Sequence, residues 1–531
     1  MSQPPRLRDR AALAVLFAGG LWAVLAVMPY RAFDLDRFSA PKELALHLTA
    51  LVAGLVLMSG AKRVLLTRAD LALIAWMGLS LVSGLFATNH WLAGRAVAVT
   101  LSGGVIFWSA RRLAAAGLGG AVARVVAVVI VIGSLTAIAQ AYGLKMEFAA
   151  LNRAPGGTFG NRNFMAHLAA IGVPVLLFCI ATARSKSTAV FWTLSLTVCA
   201  CALVLSRTRA AWLALAVSSV PAFLVMLRGP ALMEIPGAKR RVAVAVAALA
   251  AGVVLALFVP NSLDWKSDNP YLESVVGVVN YREGSGHGRL LQYAHSTRMT
   301  IAHPALGVGP GNWPAAYPRY APVDDPSLTE GTGMTANPWP SSDWVAALSE
   351  RGIPGFAALA AAMVWLIGGA LVSRFDPSQS ATTRLAAATG AAALGLAVLE
   401  GGFDAVLLLP TPTLVVWALA GALLPPRREI RAVVVTGGRR WVAMLVMGVV
   451  GLYAARVSLD RIEAMRLSSL GTLAGHAEAV TRDPGSYRVR IRAAEGYAGR
   501  GQCAEARTQA LAARALLPNA LAPKRLLAQC R

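Results

Sequence analysis

Runs of roughly twenty apolar residues recur from near the start of this chain to about residue 455, and no water-soluble core takes up so many of them. They fall near 11–29, 44–60, 70–87, 95–110, 121–141, 164–183, 188–205, 210–227, 241–260, 354–373, 385–404, 411–424 and 440–455. Each is long enough to cross a hydrocarbon layer of about 30 Å as a helix. Of 531 residues, 56% are hydrophobic and only 14% charged, with a mean hydropathy of +0.58, a composition outside the soluble range. The predicted fold class is therefore all-α: a polytopic transmembrane bundle of about 12–13 spans. The membrane domain covers 1–455, a large polar loop at 261–353 interrupts it, and a polar tail follows at 456–531.

The formal net charge is +24, which in a soluble domain suggests nucleic acid. Its distribution excludes that reading. Basic residues gather in alternate loops: Arg6, Arg8 and Arg10; Lys62, Arg63 and Arg68; Arg111 and Arg112; Arg184 and Lys186; Lys239, Arg240 and Arg241. Arg374 and Arg384 continue the series, and Arg427, Arg428, Arg431, Arg439 and Arg440 end it. This pattern predicts a cytoplasmic N-terminus and places the 261–353 loop and the tail outside. The first run lacks a small-residue cleavage site and reads as a retained span. Cys179, Cys199 and Cys201 lie within apolar runs and read as small packing residues. Cys503 and Cys530 share the outward tail, where a disulfide is permitted.

The tail reads as helical hairpins. Ala479 and Pro484 return as Ala513 and Pro518, at the repeat length of about 34 residues typical of tetratricopeptide units. Tyr497, Gly501, Ala506 and Ala510 fall between them. A plain alanine-rich hairpin fits the same residues, and so short an array implies a module that docks a protein partner rather than a solenoid.

Charges at a membrane boundary are costly and so informative. "LSRTRAAW" puts Arg207 and Arg209 in a very short outward turn, against the charge trend; they either snorkel to water or form an anion site suited to phosphate. Arg289 follows "GHG" at the start of an amphipathic segment, where small residues let a ligand approach. "GGTFGNRNFMAHL" (156–168) brings glycines and Asn163 to the mouth of a span; it is compatible with a phosphate cradle, and equally with a simple helix cap. His287, His295 and His303 do not stack on one helical face, so no metal site is expected. In "NPWPSSDWVAALSERGIPG" (337–355), Asp343 and Glu350 stand where a helix enters the membrane. Asp343 fits either a helix cap or a buried carboxylate acting as a base, and Glu350 fits an ion pair or a substrate contact.

"GGTFGNRNFMAHL", "LSRTRAAWLAL", "GRLLQYAHSTRMTIAHPALGVGPGNW" and "SSDWVAALSERGIPGF" together resemble, in order and predicted side, the O-antigen ligase and polysaccharide polymerase family of bacterial membrane glycosyltransferases. The resemblance spans about 150–425, and the tail is similar to the tetratricopeptide extension of some members. It implies transfer of a glycan from an undecaprenyl-diphosphate carrier to an acceptor hydroxyl at the periplasmic face of the inner membrane, without cofactor or metal. The acceptor would be lipid A core for a ligase, or another lipid-linked glycan for a polymerase. Arg207 and Arg289 match arginines taken to hold the diphosphate, with Arg209 and Asn163 beside them as substrate-binding residues.

One position departs from the pattern. Where the family has a His-Asn pair before this helix, the chain has Ser341 and Ser342, and a serine does not accept a proton at neutral pH. Asp343 would then act as base, or His303 or His287 would reach over from the loop. A different class of function, a non-catalytic transporter or scaffold for envelope polysaccharide assembly, fits the same composition. Transporters, however, favour internal repeats and mid-bilayer charges, and neither is apparent here.

Overall fold

The computed structural model describes residues 6–144, 155–228, 230–265, 267–277, 282–424 and 430–530. Arg427 and Arg428, counted above among the loop charges, lie outside the described residues. Every expected apolar run coincides with a helix. α1 (Leu7–Leu25), α2 (Asp36–Met58), α3 (Arg68–Leu85), α4 (His90–Ala115), α5 (Gly119–Ala141), α6 (Arg162–Ala181), α7 (Lys186–Leu205), α8 (Arg209–Arg228) and α9 (Ala238–Phe258) precede the polar loop. The loop contributes α10 (Pro270–Val276) and α11 (Gly284–Ala302), and α12 (Asp343–Ser373), α13 (Ala381–Glu400), α14 (Pro410–Leu423) and α15 (Gly437–Ser469) follow. Among the described residues, 10 helices are long and apolar enough to cross a membrane. The expected spans outside that set are α1, which opens on Arg8, Asp9 and Arg10, α8, and the 14-residue α14. The protein is an all-α, multi-pass membrane protein.

α6 forms the centre of the bundle, buried throughout its apolar window and packed against α5, α7 and α13. α15 is mostly exposed along its apolar part, as befits a helix facing lipid. The helix ends fall on two faces. One gathers the basic turns: an antiparallel pair joins Arg63–Leu66 to Arg431–Val434, and buried Arg384 bonds Glu234. The other gathers the polar loop, the short turns at 86–89 and 206–208, the 401–409 connection and the tail.

α12 shows how sequence sets this loop-bearing face. Ser342 caps it, its hydroxyl accepting from the backbone N–H groups of Trp344 and Val345. Gly352 breaks it, with φ +70° and Pro304 and Ala305 packed so close that a Cβ would meet their backbone at under 3 Å. Only glycine tolerates both conditions. The break lets the Pro304 carbonyl accept from Ile353 N–H at 2.8 Å, seating the loop on the helix.

The tail is part of this assembly. α15 runs 33 residues, about 50 Å at helical rise, and continues into α16 (Leu473–Arg482), α17 (Tyr487–Ala498), α18 (Cys503–Leu516) and α19 (Ala522–Gln529). Cys503 and Cys530 are bonded to each other. Arg461 on α15 bridges Asp36 at 2.8 Å, Glu43 at 3.1 Å and Asp483 at 3.6 Å, and Arg95 completes the network on Glu43 at 2.7 Å. Further along, Leu521 N–H donates to the Thr332 carbonyl, Asn519 to that of Ala315 and Arg525 to that of Gly331. The tail face expected to be free for a protein partner is thus partly occupied by the chain's own loop.

The network predicts an asymmetry between two arginines of α15. Arg461→Ala leaves buried carboxylates short of a partner and should cost about 3 kcal/mol, releasing the tail to protease near residue 470. Arg456→Ala removes only an exposed i,i+4 pair with Asp460, about 0.3 kcal/mol, and should leave digestion and melting unchanged.

Candidate active site at the outer rim

The turn between α7 and α8 is only 206–208. Arg207 reverses the chain there with φ +52°, a conformation uncommon outside glycine. Its guanidinium lies 4.6 Å over the Trp265 ring, donates to Ser274 at 2.9 Å and lies 3.4 Å from Glu273, which is mostly exposed. Arg209 opens α8 and donates to the Gly277 carbonyl. Asn161 caps the neighbouring α6, accepting from Asn163 N–H at 2.9 Å, and Arg162 is its first residue.

Asn163 ties these turns together. Its amide oxygen accepts from Thr208 at 3.3 Å, and its amide nitrogen donates to Asp404 at 2.7 Å. Arg289, from α11, approaches the same Asp404 oxygen at 3.9 Å, and its buried Nε has no partner among the described residues. Arg207, Arg209 and Arg289 all lie close enough to repel the Arg162 charge, and among the described residues Arg162 has no ion-pair partner. Four guanidinium groups, with buried Asp404 and exposed Glu273 as their acidic partners, stand at the positive ends of two helices. Such an arrangement has the chemistry to hold an anion.

Arg207, Arg209, Arg289 and Asn163 are therefore brought to one place, whereas Asp343 and Glu350 hold backbone and His303 lies apart. Both carboxylate oxygens of Asp343 are occupied, accepting from Val406 N–H at 3.0 Å and Leu407 N–H at 2.8 Å. Its own N–H and the Ser342 hydroxyl donate to the Gly401 carbonyl. Asp343 thus clamps the irregular 401–409 connection, and such backbone is tolerated in a membrane protein only when protein groups satisfy it. Glu350 is not free for substrate: it accepts from Gly311 N–H at 2.8 Å and Trp313 N–H at 3.2 Å and pairs with Arg351 at 3.3 Å. It fastens the glycine-rich turn. His303 is exposed at the C-terminal end of α11, whereas Arg289 lies fourteen residues earlier, about 21 Å away at helical rise. That rise separates His303 from Arg289 along α11, and His287, also on α11, is exposed.

Asp404 and Arg162 are the members of the cluster that sequence reasoning missed. Asp404 and Glu400 sat inside the expected 385–404 span. The signal was present in "LEGGFDAV", where two carboxylates flank a glycine pair in an apolar run: the same argument from costly charge that singled out Asp343 applies there.

Small cavities extend from the 401–412 region beneath Trp339. One of about 70 Å³ is lined by Glu43, Arg95, Trp339 and Glu350; one of about 30 Å³ touches Asp343, Arg351 and Leu408; another of about 30 Å³ touches Lys42, Phe164 and Trp339. Each suits water rather than a glycan. A larger one, about 380 Å³, lies beside Arg111 and Thr383, on the face of the basic turns.

Because Asp343 works as a clamp, Asp343→Asn should destabilise the protein: one amide edge turns a donor toward a backbone donor, a loss of about 1–3 kcal/mol. Thermal melting of the purified variant checks this. A base with no structural role would leave the melting temperature at the wild-type value.

No curated protein matches the chain. A family model described as O-antigen ligase matches residues 193–360. The matched segment runs from α7 into α12 and carries Arg207, Arg209 and Arg289 together with the clamp residues Asp343 and Glu350, so over this segment the chain is similar to the O-antigen ligase family.

Proposed function

We propose that the protein transfers a glycan from a polyprenyl-diphosphate carrier to an acceptor hydroxyl at the extracytoplasmic side of the bacterial membrane, as an O-antigen ligase or a surface-polysaccharide polymerase. The family match supports a membrane glycosyltransferase role in polysaccharide assembly. The single observation that carries the finer reading is the convergence of Arg162, Arg207, Arg209 and Arg289 around Asn163 and Asp404 at one rim of the bundle. The opposite rim holds the basic turns, and the positive-inside pattern orients that rim to the cytoplasm.

The mechanism follows from charge. As the bond between sugar C1 and the phosphate oxygen breaks, its electron pair leaves with the diphosphate, which gains negative charge. Fixed guanidinium groups stabilise that change more than they stabilise the bound donor, so they lower the barrier. Arg207 and Arg289 serve as the principal catalytic cations, and Arg162, Arg209 and Asn163 bind substrate. The acceptor must lose a proton as its oxygen attacks C1. Asp343 accepts from two backbone N–H groups, and Asp404 from Asn163 and from Ala405 N–H; of the two, Asp404 is the carboxylate beside Arg289 and serves as the base through its remaining lone pairs. Lipid A core and a second lipid-linked glycan both offer such a hydroxyl.

Arg207→Ala and Arg289→Ala should each lower transfer about 10²-fold at unchanged membrane abundance, with lipid-linked glycan accumulating and long surface chains disappearing from a gel. His303→Ala should leave the chains unchanged. Normal chains in both arginine variants would reject the enzyme and favour a scaffold.

A further inference from the structure

The helix that carries Arg289 is held on two faces. Tyr293, one turn beyond Arg289 on α11, donates its hydroxyl to the carbonyls of Ser341 and Gly402 at 2.7 and 2.8 Å. Another face rests on the 313–327 segment. There the Trp313 indole donates to Ser296 at 2.9 Å, Gln292 donates to Ser327 at 3.1 Å, and His295 meets Asp325 at 2.7 Å. The Tyr317 hydroxyl donates to the same carboxylate at 3.1 Å. His295, Trp313, Tyr317 and Asp325 are buried, and packed groups of this kind move together, so a shift of the segment carries α11 with it.

The tail in turn grips that segment through residues 517–525. Asn519 donates to the Ala315 carbonyl at 3.3 Å, Leu521 N–H to that of Thr332 at 2.9 Å and Arg525 to that of Gly331 at 2.8 Å. Ala315, Leu517 and Ala520 share one buried cluster. Gly333 has φ +66°, and a Cβ there would meet the Asn519 carbonyl oxygen at 2.4 Å.

All these tail residues lie inside the stretch that Cys503–Cys530 closes. Little else steadies it. The buried cluster of the hairpin is Ile491, Ala494, Ala510, Ala513 and Leu526, in which three members offer a single methyl group. α19 has 8 residues, too few to persist as an isolated helix. Arg461 fastens the other end of the tail to the rim separately.

We infer that Cys503 and Cys530 are positioning residues for Arg289: their bond keeps the α18–α19 hairpin on the loop, and the loop keeps the guanidinium at the diphosphate. The inference rests on the glycan-transfer reading and deepens it, because donor binding becomes sensitive to a dithiol reductant. One thiolate of the reductant attacks Sγ of Cys503, the partly exposed partner. A mixed disulfide forms, and the electron pair of the broken S–S bond leaves on the Cys530 sulfur, which takes up a proton. The second thiol of the reductant then displaces Cys503, giving two cysteine thiols and one oxidised dithiol.

The test uses the full-length protein in lipid nanodiscs, with undecaprenyl diphosphate as probe and its affinity as readout. Dithiothreitol should weaken binding about tenfold, the effect of one impaired charge-assisted contact, leave the main melting transition in place, and be reversed by reoxidation. It should change nothing further in Arg289→Ala and keep its full effect in Arg207→Ala, whose arginine sits on the α7–α8 turn. Cys503→Ser/Cys530→Ser should bind as the reduced wild type does and ignore dithiothreitol, which sets aside the buried Cys179, Cys199 and Cys201. Gly333→Ala, which pushes the hairpin off the loop with the disulfide intact, should weaken binding to a similar degree. Unchanged affinity in wild type whose two thiols are shown to be free would overturn the inference. So would an equal loss on reduction in Arg289→Ala, which would make the hairpin a general support. A wild type that binds undecaprenyl diphosphate no better than the monophosphate would instead overturn the glycan-transfer reading, and the inference with it.

Discussion

The arginine-bearing rim depends on one carboxylate shared between elements far apart in sequence. Asp404 accepts from Asn163 on α6 and faces Arg289 on α11, so it holds the polar loop against the membrane bundle where the α7–α8 turn presents Arg207 and Arg209. Without that counter-charge, several guanidinium groups would be held together at a partly buried site with little to offset their repulsion. With it, the cluster retains an excess of positive charge that a diphosphate can complement.

Two clamps keep this arrangement in register. Asp343 secures the 401–409 backbone that carries Asp404, and Glu350 secures the glycine turn that ends the loop's long excursion. Both residues drew notice because carboxylates are costly in so apolar a chain, and both prove to satisfy backbone N–H groups. The tail adds a third constraint: Arg461 reaches Asp36 and Glu43 at the membrane rim while α18–α19 contacts hold the 315–333 loop. A change in the tail therefore bears on the loop directly, which a separate docking module would not do.

The helices were legible because a membrane enforces them: each span must be apolar for about twenty residues, and that requirement is local. The arginines were legible for the converse reason, since charges at a span's mouth stand out against their surroundings. Assigning roles to the carboxylates required the fold. Asp343 and Asp404 look alike in sequence, and only the path of the 401–409 connection makes one a clamp and the other the partner of Arg289. The place of His303 also required the fold: it follows the C-terminal end of α11, fourteen residues beyond Arg289. Glu400 and Asp404 were hidden inside a run read as continuous helix, although the glycine pair between them marks its end.

The central claim, that the arginine rim recognises a polyprenyl pyrophosphate, is tested most directly by ligand-induced thermal stabilisation of the purified protein. Undecaprenyl diphosphate should raise the melting temperature of the wild type more than undecaprenyl monophosphate does, and that difference should vanish in Arg207→Ala/Arg289→Ala. Equal stabilisation by the two lipids in the wild type, or an undiminished difference in the double variant, would contradict it.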